Sequence, residues 1–386
     1  MIKLLVYRTA PLALRPLAIL MEGMLPQKPT LLALSLPIAM MALMLSSVPV
    51  HLAYYKARKN ESCFGTLASQ YRSGLGWLFL ISVSTLLVVL FSPLFESTAA
   101  LSVIVCLTFI IEKFSDESSR ALEFRKNYLG WFLVQILRSG WVFIPLIIAL
   151  WGGGYKNAYL VSVLLAATLS LFIFFRITGL LPSLGLSGLP VIKNNVVYFF
   201  GGFLPASYRQ IPRIVIVKVY HEQAHAFLAL AQLAQGLSVL FNVRFQIPYR
   251  KIIARKPMLF QKLMEPAMKQ VLIVASTIAL GYVAYPMYIE VSGMRLYLQM
   301  TFFLPIVVAD AMVFAVLSSY LGYVQWLFQP KKASCFYLMA ALLAVLIVSM
   351  LLAVKYQEIV NLSGIPIVTI GIGLIWLFML KKRFFV

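Results

Sequence analysis

Charge is scarce in this 386-residue chain: Asp, Glu, Lys and Arg together make 12% of it, against 62% hydrophobic residues. A water-soluble domain carries roughly a quarter charged residues. There is too little polar surface here to face water on all sides, so a soluble globular fold is excluded. Acids are scarcer than bases, 12 Asp and Glu against 33 Lys and Arg, for a net charge of +21. Cys63, Cys106 and Cys335 are scattered and have no metal-ligand spacing, which excludes a disulfide framework and a cysteine metal site. No glycine-rich phosphate loop with lysine, no kinase signature and no dinucleotide fingerprint occurs, so neither an ATP-driven cycle nor a nucleotide cofactor is expected of this chain. The N-terminal apolar run is interrupted by Arg8 and Arg15 and is followed by no small-residue cleavage site, so a cleaved signal peptide is not expected.

What the chain has in abundance is apolar runs of about 17–25 residues, the length that crosses a bilayer, and its mean hydropathy is +0.91. The runs predict an all-α integral membrane protein of twelve spans, near 2–25, 31–54, 74–95, 97–114, 128–151, 157–180, 195–219, 225–247, 268–289, 298–324, 334–354 and 363–380. The first is broken by Pro11, Pro16, Arg8, Arg15 and Glu22, and the fourth is short.

The basic residues test that alternation. With both termini cytoplasmic, 23 Lys and Arg fall on inside segments and 4 (Lys28, Lys156, Arg295 and Lys355) on outside turns, while 6 lie within spans or at their edges. This is the positive-inside bias, and it accounts for the net charge without nucleic acid. The longest non-apolar stretches, near 55–73, 112–127 and 248–267, are all assigned to the cytoplasmic side, and no extramembrane domain is expected. Function is therefore sought within the membrane.

Residues 182–194, within LPSLGLSGLPVIKN, are rich in Gly, Pro and Ser and read as a cytoplasmic connector. It separates an N-terminal six-helix bundle at 1–181 from a C-terminal one at 195–386. Six is even, so both halves enter from the same side, as parallel repeats do. The opening helix of each half carries two arginines, Arg8 with Arg15 and Arg209 with Arg213.

Ionisable groups inside spans are costly and face a cavity or a partner. Arg209 and Arg213 are four apart and share a helix face. Arg138 stands in the fifth span and Asp310 near the middle of the tenth. Arg15, Arg138, Arg209 and Arg213 are the candidate ligands of an anionic substrate, because guanidinium stays charged and binds phosphate oxygens in bidentate fashion. The alternative is that they pair with Glu22 or Asp310 to hold helices together. Arg8 and Lys218, near span ends, read as snorkelling cations. Asp310 could carry a coupling proton or join a buried ion pair, and Glu22 is likewise a coupling or helix-pairing candidate.

His221-Glu222-Gln223-Ala224-His225 fits H-E-x-x-H, in which two histidines bind zinc and the glutamate is the base. That chemistry needs a continuous helix and a third ligand. Here the motif falls on an expected outside turn, and the remaining histidine, His51, lies on another. No metal site is expected, with His221 and His225 the ligands if there is one.

Two stretches carry a resemblance. FLPASYRQIPRIVIVKVYHEQAHAFLALAQLAQGLSVL, from Phe203, resembles the start of the second half in polysaccharide exporters of the multidrug/oligosaccharidyl-lipid/polysaccharide superfamily. EKFSDESSRALEFRKNYLGWFLVQILRSGWVFIPL, from Glu112 to Leu146, is similar to their connection between the fourth and fifth spans. Spans, basic links and cationic centre resemble the O-antigen flippase (Wzx-type) branch. Two features depart from it: Tyr208-Arg209-Gln210 lacks the acid often found before the arginine, and the first span is broken. The resemblance implies alternating access between two six-helix bundles in a bacterial cytoplasmic membrane. The cargo would be a polyprenyl-pyrophosphate-linked oligosaccharide, driven by H+ or Na+ coupling, with a polysaccharide polymerase and a chain-length regulator as further partners. Trp131, Trp141, Tyr198 and Tyr208 could then stack on sugars, although such residues mostly pack in the bundle or sit at the interface.

Three rivals stay open. A small-molecule exporter of the same superfamily would favour acids in its cavity, and here arginines outnumber them. A membrane glycosyltransferase or polymerase generally needs a large outside loop. The zinc metalloprotease needs bound metal.

Overall fold

The computed structural model of the chain describes residues 2–26, 29–45, 64–91, 99–190, 207–220, 224–232, 307–317, 343 and 364–384. Among the described residues the regular structure is helical and no strand occurs. A helix satisfies its backbone N–H and C=O groups within one segment, which is what a lipid surrounding would require. The chain divides into two compact units, Met1–Ala206 and Ser207–Val386.

The first unit holds α1 (Ile2–Met24), α2 (Leu31–Leu45), α3 (Phe64–Leu90), α4 (Ala99–Phe124), α5 (Tyr128–Gly140), α6 (Phe143–Leu150) and α7 (Tyr155–Thr178), followed by a 3-10 turn at Leu186–Gly188. Its centre is α4, which packs against α2, α3, α5 and α7. Leu32 to Met40 of α2 are buried without a break, as expected of a helix apolar on every side. A run of rings, Phe79–Phe109 at 5.5 Å, Phe79–Phe114 at 5.7 Å and Phe114–Phe174 at 5.1 Å between centroids, joins α3, α4 and α7.

α7 is built inside out relative to a helix in water. Ser162, Ala166, Ala167 and Ser170 are buried, while Leu164, Leu165, Leu169 and Phe172 are exposed. Small residues inward allow close helix contact, and large apolar residues outward suit lipid. Among the described residues, two helices are long and apolar enough to cross a membrane, at Ala68–Val88 and Tyr155–Thr178, or three if α5 and α6 are one bent span. The all-helical, membrane-compatible fold class is thus present.

Three elements differ in detail from the sequence expectation. The span expected at 128–151 is broken between α5 and α6 by a 43° bend. Pro145 supplies the reason, since it has no N–H to donate back to Trp141 and so opens a new helix rather than continuing the old one. α1 runs unbroken as a helix from Ile2 to Met24 with Pro11 and Pro16 inside it. The fourth helix does not stop near 114: α4 continues to Phe124, and Glu112, Lys113, Ser115, Glu117, Ser118 and Ser119 are buried. Polarity suggested a solvated stretch there, but most of these groups find partners within the bundle, among them Arg15, Tyr71, Gln135, Arg138 and Ser170.

The second unit contains the helices 207–219 (α8), 224–232 (α9), Val307–Leu317 (α10) and Gly364–Phe384 (α11). Tyr208 is the hub of α8, α10 and α11. Its ring lies 5.3 Å from Trp376 and stacks on Phe314 at 6.5 Å, and its hydroxyl donates to the Thr369 carbonyl at 2.6 Å. Gly373 makes room for it, since a Cβ there would fall 2.5 Å from the Tyr208 oxygen. The spans expected at 268–289 and, Leu343 apart, 334–354 lie outside the described residues, as do the stretches 55–63 and 248–267.

Candidate anion-binding site

α8 carries its polar residues toward protein. Ser207, Arg209, Gln210 and Arg213 are all buried, and at 100° per residue they occupy one broad arc of the helix. The two guanidinium groups are held differently. Arg213 Nη2 donates to the Ala231 carbonyl of α9 at 3.2 Å. Arg209 lies flat on an aromatic face, its guanidinium carbon 4.4 Å from the Phe314 ring centroid. Asp310 on α10 is the acid whose charge reaches both arginines, yet among the described residues it closes no ion pair with either.

Two cations therefore stand against one carboxylate, with donors to spare. Arg209 Nε and Arg213 Nη1 are buried without a hydrogen-bond partner among the described residues, and so are Asp310 Oδ1, Gln210 Oε1, Ser207 Oγ and Trp376 Nε1. An unpaired buried polar atom costs about 1–3 kcal/mol, more when charged. The unpaired atoms include both donors and acceptors, and the two guanidinium groups give the cluster its excess of positive charge. The sequence pointed to Arg209, Arg213 and Asp310, and the structure places them in one neighbourhood. Phe314, Gln210, Ser207 and Trp376 were not singled out from sequence, since neutral or aromatic residues in an apolar run carry no distinguishing signal.

In the first unit, Arg15 from α1 and Arg138 from α5 converge on Glu112 of α4. Arg15 Nη2 donates to Oε1, while Arg138 Nε and Nη2 reach Oε2 at 2.7 and 2.6 Å. The pairing runs on along α4. Arg138 Nη1 stands 3.6 Å from Asp116, whose other oxygen meets Arg120 at 2.8 Å. On a neighbouring face Lys113 pairs with Glu117 at 2.7 Å, and the Tyr71 hydroxyl donates to Glu117 at 2.8 Å. Arg15 and Arg138 are thus together, but on a carboxylate that is 1% exposed. Sequence reasoning missed Glu112. The available signal was the i, i+4 charge pattern of Glu112, Asp116 and Arg120, together with Lys113 and Glu117.

Glu22 serves the ends of three helices. Its carboxylate accepts from the backbone N–H groups of Leu32 at 2.8 Å and Ala33 at 3.1 Å, and from the Tyr155 hydroxyl at 2.7 Å. It caps α2 from the end of α1 and ties in the start of α7. Of the motif residues, His221 and Glu222 lie outside the described residues, while His225 is buried on α9. Among the described residues no group of three His, Cys, Asp or Glu could hold a metal ion. The Arg8 side chain and Tyr198 also lie outside the described residues. Trp141 packs edge-on to Tyr159 at 5.4 Å, so both it and Tyr208 are engaged in helix packing.

No protein-family profile, no curated protein and no solved structure matches the chain.

Proposed function

We propose that this chain is a multi-pass membrane transporter that moves an anionic, lipid-linked substrate. In its fullest form the reading is a flippase for a polyprenyl-pyrophosphate-linked oligosaccharide, working by alternating access between two six-helix bundles in a bacterial cytoplasmic membrane. Arg209 and Arg213 would receive the pyrophosphate, and the neighbouring Asp310 would couple the cycle to H+ or Na+. One observation carries the reading: among the described residues, two buried guanidinium groups on one helix face stand near a single carboxylate and keep N–H donors unpaired. Arginine in that state matches the bidentate geometry of phosphate oxygens better than any neutral ligand. Arg15 and Arg138 already have an anion in Glu112, so for them to meet substrate, Glu112 would have to be displaced. The resemblance seen from Phe203 onward supplies the identity of the cargo.

The test uses the native host. Arg209→Ala and Arg213→Ala should each abolish surface polysaccharide while the protein stays in the membrane at normal level. Normal polysaccharide in both variants removes the reading.

A further inference from the structure

The segment that leaves α7 is a docked strap rather than a loose linker. Gly179 ends α7 in the left-handed conformation (φ 70°), and residues 180–190 turn back along the first half of α3. The Ser183 N–H donates to the Arg72 carbonyl at 3.2 Å, and the Trp77 indole N–H donates to the Gly185 carbonyl at 3.1 Å. The Ser187 hydroxyl lies 2.9 Å from that of Ser73 and 3.1 Å from that of Ser69. Contact is backbone to backbone. A Cβ on Gly76 would fall 2.1 Å from the Ser183 carbonyl oxygen, and one on Gly188 would fall 2.6 Å from the Ser73 carbonyl carbon.

Small and hydroxyl-bearing residues thus face α3, and the leucines between them face away. Leu181, Leu184, Leu186 and Leu189 are all exposed, Leu186 by 79%. The surroundings of this apolar face are basic. Arg72, Arg125, Lys126 and Arg176 are exposed at the same end of the unit, where Arg125 Nη2 donates to the Ile177 carbonyl at 2.8 Å and joins the ends of α4 and α7. Depth follows from length. The 24 residues of α7 span about 36 Å at 1.5 Å each, against about 30 Å of hydrocarbon. A helix of that length, centred in a bilayer, ends at the headgroups, and the strap begins at its end. The outward face of α7, with Leu165, Phe172 and Phe175, continues into the strap leucines.

We infer that residues 180–190 form an interfacial anchor whose partner is an anionic lipid leaflet. The leucines lie among the first acyl carbons, and Arg72, Arg125, Lys126 and Arg176 meet the headgroups. Apolar residues ringed by Lys and Arg are the signature of a segment lying in the plane of the interface, and basic clusters there are drawn to anionic lipid. The inference needs only a membrane around α3 and α7 and is independent of any cargo.

The test places a nitroxide at Leu186→Cys in the full chain, with Cys63, Cys106 and Cys335 replaced by serine, in lipid nanodiscs. Relaxation by oxygen and by a water-soluble nickel chelate then reports depth. The expected result is oxygen dominant over nickel, with a greater depth in discs of phosphatidylglycerol than in discs of phosphatidylcholine. Nickel dominance would place the strap in water, and shielding from both reagents would place protein over it; either overturns the inference. Equal depth in the two lipids overturns the headgroup contacts.

Discussion

Arg138 grips a single oxygen of Glu112 through Nε at 2.7 Å and Nη2 at 2.6 Å, leaving the other oxygen to Arg15. One carboxylate thereby joins α1, α4 and α5 at a point where its own exposure is 1%. The ladder through Asp116 to Arg120 extends this joint toward the surface of the unit.

Removing that carboxylate takes the described counter-ion from Arg15 and leaves Arg138 only the longer contact with Asp116. Glu112→Gln should cost about 3–5 kcal/mol, the range for breaking a buried ion pair from one side. Replacing Arg15, Glu112 and Arg138 together by Met should cost much less, because no charge is stranded. Unfolding of the detergent-purified chain measures both. A Glu112→Gln protein as stable as the parent would show that the joint contributes nothing.

The Tyr208 notch gives a steric prediction. Gly373→Val puts branched carbon where a Cβ already lies 2.5 Å from the Tyr208 oxygen and 2.7 Å from Val313. Overpacking costs typically about 1–3 kcal/mol. Substituting Tyr208→Phe in the same chain removes the blocking hydroxyl, so part of the loss should return. Additive losses in the double variant would deny the contact.

Phe314→Leu keeps an apolar, though smaller, side chain beneath Arg209 but removes the ring face. The cation–π term is worth about 0.5–2 kcal/mol, equal to roughly a two- to thirtyfold change in an equilibrium constant. The Arg209 group should then be less well oriented, and pyrophosphate binding to the purified chain, measured by calorimetry, should weaken within that range. Unaltered affinity would mean that the ring does not position the guanidinium.

Glu22→Ala withdraws an acceptor from two backbone donors at the start of α2 and from the Tyr155 hydroxyl. Loss of a helix cap costs about 0.5–2 kcal/mol. Hydrogen exchange should rise first at the amides of Leu32 and Ala33. Faster exchange spread evenly over the unit would argue against a local cap.

The sequence shows best what depends on neighbours along the chain. The apolar run near 157–180 predicts α7 to within two residues at either end, and the run near 363–380 matches the start of α11. Arg209 and Arg213 stand out because charge in an apolar run is rare. What depends on distant partners was hidden. Nothing near residue 112 indicates that Arg15 and Arg138 arrive from other helices to neutralise it, so the polarity of residues 112–124 looked like solvation. Glu22 raised a similar difficulty: a carboxylate in an apolar segment suggests another charge, and nothing along the chain shows that its partners include two backbone amides and a phenol. The bend after Gly140 was in principle legible from Pro145, although hydropathy averaged over a window carries a span straight through it.

The strap has a practical corollary for anyone dividing this protein into halves. A cut near residue 182, where composition invites one, would detach the carbonyl of Gly185 and the hydroxyl of Ser187 from Trp77, Ser73 and Ser69. The severed first half would then present raw hydroxyl and indole groups along α3, with a trough shaped for a chain it no longer possesses. A cut placed beyond Pro190 keeps that seam shut, so two separately expressed pieces should be joined there.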